Sequence, residues 1–504
     1  MIPLAANPVN RLCLAHEIRA VERGAAALPA PPALMERAGL AAAELARELL
    51  GNQTSVLILA GPGNNGGDAL VAARHLKSWW YKVDVVFTGN PDKLSADAAR
   101  ALQAWLDAGG TLHIDIPQQG SWGLAVDGLF GIGLARQLDE RHLRLVMALN
   151  GMELPILALD IPSGLDSDTG QPLGAAVRAT HTLTFIALKP GLFTACGPDY
   201  CGEVRLDTLD IDPALLPQPK GFLLEREQVA GALKPRPRNS HKGMLGSVGI
   251  LGGAGSMCGA ALLAGRAALK LGAGRVYVGL LAPDAPAVDI AQPELMLRTP
   301  GQLFEVNGLS CLVVGPGLGQ SPEALQLLLR ALETGLPLVL DADALNLFGA
   351  HPELAPLLRD RQSPAILTPH PAEAARLLGC GSHDVQQDRI GSALVLAHRF
   401  NSLLVLKGAG SICAAPDETW YVNPTGNPGL SSAGTGDVLA GMLGALLAQR
   451  LPPRQALLLA VYLHGAAADE LVNQGIGPIG LTATEITDAA RALLNAWVYG
   501  GKVR

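Results

Sequence analysis

Asn427–Gly444 reads NPGLSSAGTGDVLAGMLG, a glycine-rich loop (Ala433-Gly434-Thr435-Gly436-Asp437) that runs straight into an apolar helical pattern. Loop glycines let the backbone approach a ligand and expose amide N–H groups. The first turn of the following helix adds unpaired donors and the positive end of its dipole. The pattern predicts an anion pocket, most simply one for a phosphate. A carboxylate beside a phosphate does not strengthen binding, because like charges repel. Asp437 therefore reads as a proton acceptor, or as an indirect partner through a metal. Taken alone, G-x-G-D reads as an N-cap aspartate on a core helix. Other glycine loops in the same half of the chain shift the balance.

Those loops recur at the ends of short apolar runs. A polar, basic loop, Pro235–Gly246, precedes a strand at Ser247–Leu251, and Gly252-Gly253-Ala254-Gly255 then leads to a helix beginning near Gly259. Gly315-Pro316-Gly317-Leu318-Gly319 follows CLVV, and Asp341-Ala342-Asp343-Ala344-Leu345 follows PLVL. Thr368-Pro369-His370-Pro371 follows AIL, and Lys407-Gly408-Ala409-Gly410-Ser411 follows LLVL. Singly, His370 is a turn histidine, Lys407 a solvated strand-end charge and the aspartates a helix cap. Together they predict parallel strands with chemistry at their carboxyl ends.

The first half alternates in the same way. Helical spacing over 12–28 and 33–50 is split by Pro29, Pro31 and Pro32. Strands are expected at Ser55–Ala60, Val83–Thr88, Leu124–Asp127 and Ile156–Asp160, with helices at 69–80, 95–108 and 139–150. This is a doubly wound α/β pattern. Three marked loops fall at its strand ends: 61–68 (GPGNNGGD), 127–133 (DGLFGIG) and 160–166 (DIPSGLD). Gly61, Gly63 and Gly66 formally spell G-x-G-x-x-G, but a dinucleotide-dependent dehydrogenase needs an acid at the end of the next strand. Asp84 is at the wrong end, and Thr88-Gly89 occupies the expected place. Asn64, Asn65, Asp127 and Ser163 instead offer oxygens suited to a hard cation.

The 504 residues are 49% hydrophobic and only 16% charged, which is ample for full cores and too apolar for disorder. A net charge of -7 and the lack of basic runs argue against nucleic-acid binding. Seven scattered cysteines form no C-x-x-C pair, so neither a disulfide framework nor a zinc site is expected. Residues 1–10 lack the features of a secretory leader, and no apolar run reaches membrane-spanning length. A cytoplasmic protein without membrane partners is expected. Asp212–Gly221 is Pro-rich and reads as part of a linker.

GPGNNGGD (61–68), VDGLFGIGLAR (126–136) and ALDIPSGLDSDTG (158–170) resemble the N-terminal domain of NAD(P)HX epimerases. The resemblance implies a Rossmann-like three-layer sandwich over 1–215, acting on the hydrated nicotinamide ring at carbon 6. It implies a hydrate site of Asn64, Asn65, Gly66, Gly67 and Asp68 with Gly131, Ile132, Gly133, Leu134, Ala135, Arg136 and Gln137. Asp160 would be the acid/base, and Asn65, Asp127 and Ser163 would hold K+. Ala69 stands where the family usually has another glycine; a place in the first helical turn would make this of little effect.

NSHKG (239–243), GPGLG, DADAL, TPHPAE, LKGAGS and NPGLSSAGTGD resemble the ribokinase-like superfamily, and within it the ADP- or ATP-dependent NAD(P)HX dehydratases. This implies a ribokinase-like three-layer sandwich over 225–504, joined by a linker at 216–224. Ala260, Gly317, His370 and Asp437 would contact the hydrate. Lys407, Gly408, Ala409, Gly410, Ser411 and Gly436 would contact the nucleotide, with Mg2+ on the ADP. The order of domains resembles the bifunctional NAD(P)H-hydrate repair enzymes. It implies NADHX and NADPHX as substrates, ADP or ATP as co-substrate, and a homo-oligomer. A small-molecule kinase fused to a dinucleotide-binding domain is the alternative that the GTGD loop alone allows, and a nucleotide sensor is disfavoured by the presence of both Asp160 and Asp437.

Overall fold

The computed structural model describes residues 10–500. Residues 1–9, which carry most of the leader reading, lie outside the described residues. The chain divides into two compact units between Phe222 and Leu223.

The strands of the first unit are β1 (Arg11–Leu12), β2 (Ser55–Ala60), β3 (Lys82–Phe87), β4 (Leu112–His113), β5 (Leu124–Gly128), β6 (Ile156–Leu159), β7 (His181–Phe185) and β8 (Glu203–Asp207), with β9 (Gly221–Leu223) at the junction. Seven of them form a parallel sheet in the order β4-β3-β2-β5-β6-β7-β8. The unbroken apolar run SVLILA makes β2 central, because both of its faces are covered. Val56, Ile58 and Ala60 enter a core with helices Leu34–Leu50 and Asn64–Ser78, while Leu57 and Leu59 enter one with helix Glu140–Asn150. Three layers result. Strands β4, β7 and β8 escaped the sequence reading; β4 and β8 are short or half-exposed and carry no continuous apolar run.

Two boundaries differ in a way that matters. The helix expected over 69–80 begins at Asn64, so Asn64 to Asp68 occupy its first turns instead of a loop, and Ala69 lies in the second turn. Two adjacent glycines suggest a loop by propensity. Here they are packing sites, since a Cβ on Gly66 would lie 2.0 Å from the Gly61 carbonyl oxygen. Asp160 lies just beyond β6, with φ of 67°. Part of the expected linker is ordered as strand: Gly221 and Phe222 pair antiparallel with Leu12 and Arg11.

The second unit contains β10 (Ser247–Gly252), β11 (Arg275–Leu280), β12 (Met296–Arg298), β13 (Cys311–Val314), β14 (Leu338–Leu340), β15 (Ala365–Leu367), β16 (Leu403–Leu406), β17 (Ser411–Ala414) and β18 (Trp420–Asn423). Their order is β12-β11-β10-β13-β14-β15-β16-β17-β18, parallel as far as β16 and antiparallel thereafter. Strand order reverses between β10 and β13, as it does between β2 and β5 in the first unit. Such reversals open a crevice at the carboxyl ends of the strands. The 61–68 and 127–133 segments flank one crevice, and the 252–255 and 315–319 segments flank the other.

Helix Thr435–Ala448 is buried from Val438 to Ala448 and apolar all round, as a central helix must be. It crosses helix Cys258–Lys270 so closely that a Cβ on Gly441 would lie 2.1 Å from the Ala264 carbonyl oxygen. Gly441→Ala is therefore expected to destabilise the second unit by roughly 1–3 kcal/mol. Scanning calorimetry of the purified protein reads this as a lower unfolding midpoint, and an unchanged midpoint would show that the helices separate freely.

Candidate active sites

The first crevice opens into a cavity of about 1220 Å³ lined by Glu22, Asn64, Asn65, Asp68, residues 131–134 and Asp160, among others. Gly66 and Gly67 are buried beneath it, and Ala135, Arg136 and Gln137 are exposed outside its lining. Asp160 is the best-held group. Its Oδ1 accepts a hydrogen bond of 2.5 Å from Lys189 Nζ, and its Oδ2 faces the Ile132 N–H at 3.4 Å. Lys189 is fully buried and also donates to Thr184 Oγ1 at 2.8 Å and to the Phe185 carbonyl at 2.7 Å. Burial and the charge of Asp160 push the Glu22 carboxyl up. Burial, with Asp160 and Glu22 nearby, pushes Asp68 well above the usual carboxylate range.

Asn65 lines this cavity, and Asp127 and Ser163 bond to each other at neighbouring strand ends. Asp127 is fully buried and accepts from Ser163 Oγ at 2.6 Å, from Ser163 N at 2.8 Å and from Leu129 N at 3.3 Å. These bonds do not offset burial, which pushes its carboxyl up to about 6. Asn65 donates its Nδ2 to the Leu159 carbonyl at 3.2 Å, while its buried Oδ1 has no hydrogen-bond partner. A buried carboxylate held only by neutral donors, and a buried amide oxygen without a hydrogen-bond partner, are both oxygens of the kind a hard cation takes.

In the second crevice Gly434 takes a left-handed φ of 88°, and Thr435, Gly436 and Asp437 form the first turn of the buried helix. Lys407 Nζ would lie 3.3 Å from a Cβ placed on Gly436. Its ammonium pairs with Asp341 Oδ1 at 3.0 Å and stands 4.0 Å from Glu373 Oε2. Thr368 Oγ1 donates to the same Asp341 oxygen at 2.6 Å. Burial opposes the Lys407 charge, but Asp341 and Glu373 outweigh it and hold the pKa above the ordinary range. Burial, then the like charge of Asp341, pushes Asp437 up to about 7 against the opposing pull of Lys407.

The remaining predicted residues lie at strand ends and helix starts of the same unit. His370 Nδ1 caps helix Pro371–Leu378, accepting from Ala372 N at 3.1 Å, which leaves the proton on Nε2. The Ala254 N–H reaches the Gly317 carbonyl at 2.6 Å, and Ala260 Cβ would lie 3.3 Å from a Cβ on Gly317. Gly408 is at φ of 139° over the buried Arg389 guanidinium, and Ser411 Oγ donates to the Gly408 carbonyl at 3.0 Å. Ala409 is exposed and Gly410 half-buried beside it. Asp343 accepts from Gly319 N at 2.9 Å, tying the 341–345 and 315–319 segments together.

Sequence reasoning missed Lys189, Glu22, Asp341 and Glu373 as parts of these sites. Asp341 and Glu373 lie inside motifs already singled out. A lone lysine in the otherwise apolar FIALKPG stretch was the available signal for Lys189.

The arrangement defines a two-site α/β enzyme, with one crevice built on a buried lysine–carboxylate pair and the other on a helix-N-terminal anion turn with its own carboxylate. Comparison with known proteins makes this specific. Residues 32–191 match the family profile described as YjeF-related protein N-terminus, and residues 248–491 match that described as NAD(P)H-hydrate dehydratase. The bifunctional NAD(P)H-hydrate repair enzyme Nnr of Escherichia coli (strain K12) is 39% identical, covering 97% of this chain and 95% of its own length. The enzyme of that name from Coxiella burnetii is 38% identical over 92% and 94%, respectively. Among solved structures, the Bacillus subtilis ADP/ATP-dependent NAD(P)H-hydrate dehydratase co-crystallised with ATP/Mg2+ is 31% identical, covers 54% of this chain and 97% of its own, and has a TM-score of 0.47. The chain belongs to the family of bifunctional NAD(P)H-hydrate repair enzymes.

Lys189→Met removes the ammonium that pairs with Asp160 and leaves that carboxyl without its counter-charge in a largely buried place. The variant is expected to destabilise the first unit by roughly 3–5 kcal/mol, read by scanning calorimetry as a lower unfolding midpoint, and to slow epimerisation, followed as the change in epimer ratio by chromatography; an unchanged midpoint and rate would show that the pair carries neither.

Proposed function

We propose that Asp160 and Asp437 are the proton-transfer groups of two successive reactions on hydrated NADH or NADPH. The observation that carries this reading is Asp437: a carboxyl pushed up to about 7, in the first turn of a helix whose N-terminal amides are free to bind an anion. The functional boundaries are 1–215 for the epimerase and 225–504 for the dehydratase, with 216–224 between them; the division at Phe222 falls inside that stretch.

In the epimerase, Asp160 takes the C6 hydroxyl proton as the bond from C6 to the ring nitrogen breaks, and delivers it to that nitrogen, leaving an open-chain aldehyde; the reverse steps on the other face of the aldehyde close the ring and bring the R and S epimers into exchange. Lys189 holds its carboxylate in place. Asn65, Asp127 and Ser163 hold K+, which supplies the positive charge that buried Asp127 otherwise lacks. The carried-over residues of 64–68 and 131–137 form the hydrate site.

In the dehydratase, hydroxide is a poor leaving group and phosphate a good one. Asp437 takes the C6 hydroxyl proton as that oxygen attacks the terminal phosphoryl group of ADP. The Gly434–Gly436 amides and Lys407 stabilise the charge on the group in transfer. AMP departs, and phosphate then leaves C6 and takes a proton from C5, which restores the ring double bond. Lys407, Gly408, Ala409, Gly410, Ser411 and Gly436 bind the nucleotide, and Ala260, Gly317, His370 and Asp437 bind the hydrate. Mg2+ enters with the nucleotide phosphates; the carboxylates of Asp341 and Glu373 are oxygen donors of the type it takes. The seven free cysteines fit a reducing cytoplasm, and among the described residues no helix is long and apolar enough to cross a membrane. The resemblance implies a homo-oligomer.

The test is recovery of the reduced-nicotinamide absorbance from mixed NADHX epimers with ADP and Mg2+. The wild type should recover all of the NADH. Asp160→Asn should recover only the S fraction promptly, and Asp437→Asn none. No recovery by the wild type with ADP or ATP would overturn the reading and bring the kinase alternative forward. A base must be deprotonated to act, so dehydration should rise with pH through about 7, where Asp437 loses its proton. A flat profile across that range removes Asp437 as the base. Replacing K+ by tetramethylammonium should slow epimerisation while leaving dehydration of the S epimer intact, and Asp127→Asn should abolish that K+ response.

A further inference from the structure

Two buried imidazoles, His142 and His464, have no part in the reactions above, and His464 is the one that meets the anion turn. His464 lies on helix Pro453–Asn473, 8% exposed, with Nε2 3.0 Å from the Thr435 carbonyl oxygen. A carbonyl only accepts, so Nε2 carries the proton. Burial keeps the ring neutral, pushing its pKa down to about 4 against the opposing hydrogen bond to Thr435.

In a trans peptide the carbonyl of one residue and the N–H of the next point in opposite directions. A donor that fixes the Thr435 carbonyl therefore also fixes the Gly436 N–H, which points toward the helix N-terminus and the mouth of the site. The same helix secures the loop just upstream. Asp469 accepts from Gly426 N at 2.8 Å and from Asn427 Nδ2 at 2.9 Å. Thr425 Oγ1 donates to the Tyr462 carbonyl at 3.0 Å, and a Cβ on Gly465 would lie 2.3 Å from that hydroxyl oxygen. The helix is a bed beneath residues 425–437, and His464 is the part of it that reaches the anion turn.

We propose that His464 is a positioning residue for dehydration: its Nε2–H holds the Thr435–Gly436 peptide so that the Gly436 N–H is set for the phosphoryl group in transfer. This rests on reading 434–437 as the phosphoryl-binding turn.

The experiment compares His464→Leu, His464→Asn and His464→Gln in the full chain. Glutamine carries its amide nitrogen at the reach of Nε2; asparagine falls short of it. Losing an oxyanion donor outright costs about 10²–10³ in kcat, and misaligning one should cost less. Leu and Asn are therefore expected to lower kcat of ADP-dependent dehydration by roughly 10- to 100-fold, with KM for ADP within about threefold, while Gln recovers to within about threefold of wild type. Epimerisation by the same preparations should be unchanged. Wild-type dehydration by the Leu variant, or Gln no better than Asn at equal thermal stability, overturns the proposal. If the wild type dehydrates nothing with ADP or ATP, the phosphoryl-transfer reading has failed, and crystal structures still judge the positioning. A 435–436 peptide that stays in place in His464→Leu overturns it, and a rotated one supports it.

Discussion

An ammonium paired with a carboxylate, one partner of each pair buried, underlies both sites. Lys189 holds Asp160 in one unit, and Lys407 holds Asp341 in the other. Burying either charge alone would be prohibitive, so each pair stands or falls together. Neither pair is isolated, because each charge has a hydroxyl neighbour as well: Thr184 on Lys189 and Thr368 on Asp341. Such pairs add little net stability. What they supply is a fixed local charge. In the first unit that charge stands against Asp160 amid Glu22 and Asp68, and in the second it sets a cation beside the helix-end turn.

The sheets put these charges where they can act. In both units the chain builds outward on one side of a central strand and then returns to build on the other. The loops leaving the two adjacent strands diverge, and the crevice between them collects residues distant in sequence. Asp127 meets Ser163 in this way, and Asp437 comes under the charges of Asp341 and Lys407. The architecture therefore fixes which loops converge, while the chemistry depends on what those loops carry.

Most of this architecture was legible because parallel strands announce themselves as unbroken apolar runs ending in glycine or aspartate. SVLILA, CLVV, AIL and LLVL were read as strands and are strands. Strands β4 and β8 were not, since half-exposed strands lack that signature. The start of helix Asn64–Ser78 was missed because propensity treats Gly66-Gly67 as a breaker, whereas contact with the Gly61 carbonyl demands the absence of a side chain there. Asp437 was legible from its loop. Lys189 and His464 were not, because a single polar residue within an apolar stretch does not reveal what faces it. Their roles come from partners 29 residues away in each case, Asp160 and Thr435.

The elevated Asp437 pKa follows from the same geometry. A carboxylate near its ordinary pKa would be a weak base toward an alcohol. Burial and the negative charges of Asp341, Asp343 and Glu373 raise its basicity, and Lys407 limits the rise. An arriving polyphosphate adds more negative charge and, uncompensated, would push the carboxyl into its protonated and inactive form. The helix-end amides, Lys407 and a metal on the nucleotide must therefore absorb that charge for the base to remain a base. On the proposed reading the anion turn and the carboxylate form one device: the amides that would hold the phosphoryl group would also keep Asp437 able to take the proton, and the glycine loop and the aspartate are adjacent in the chain.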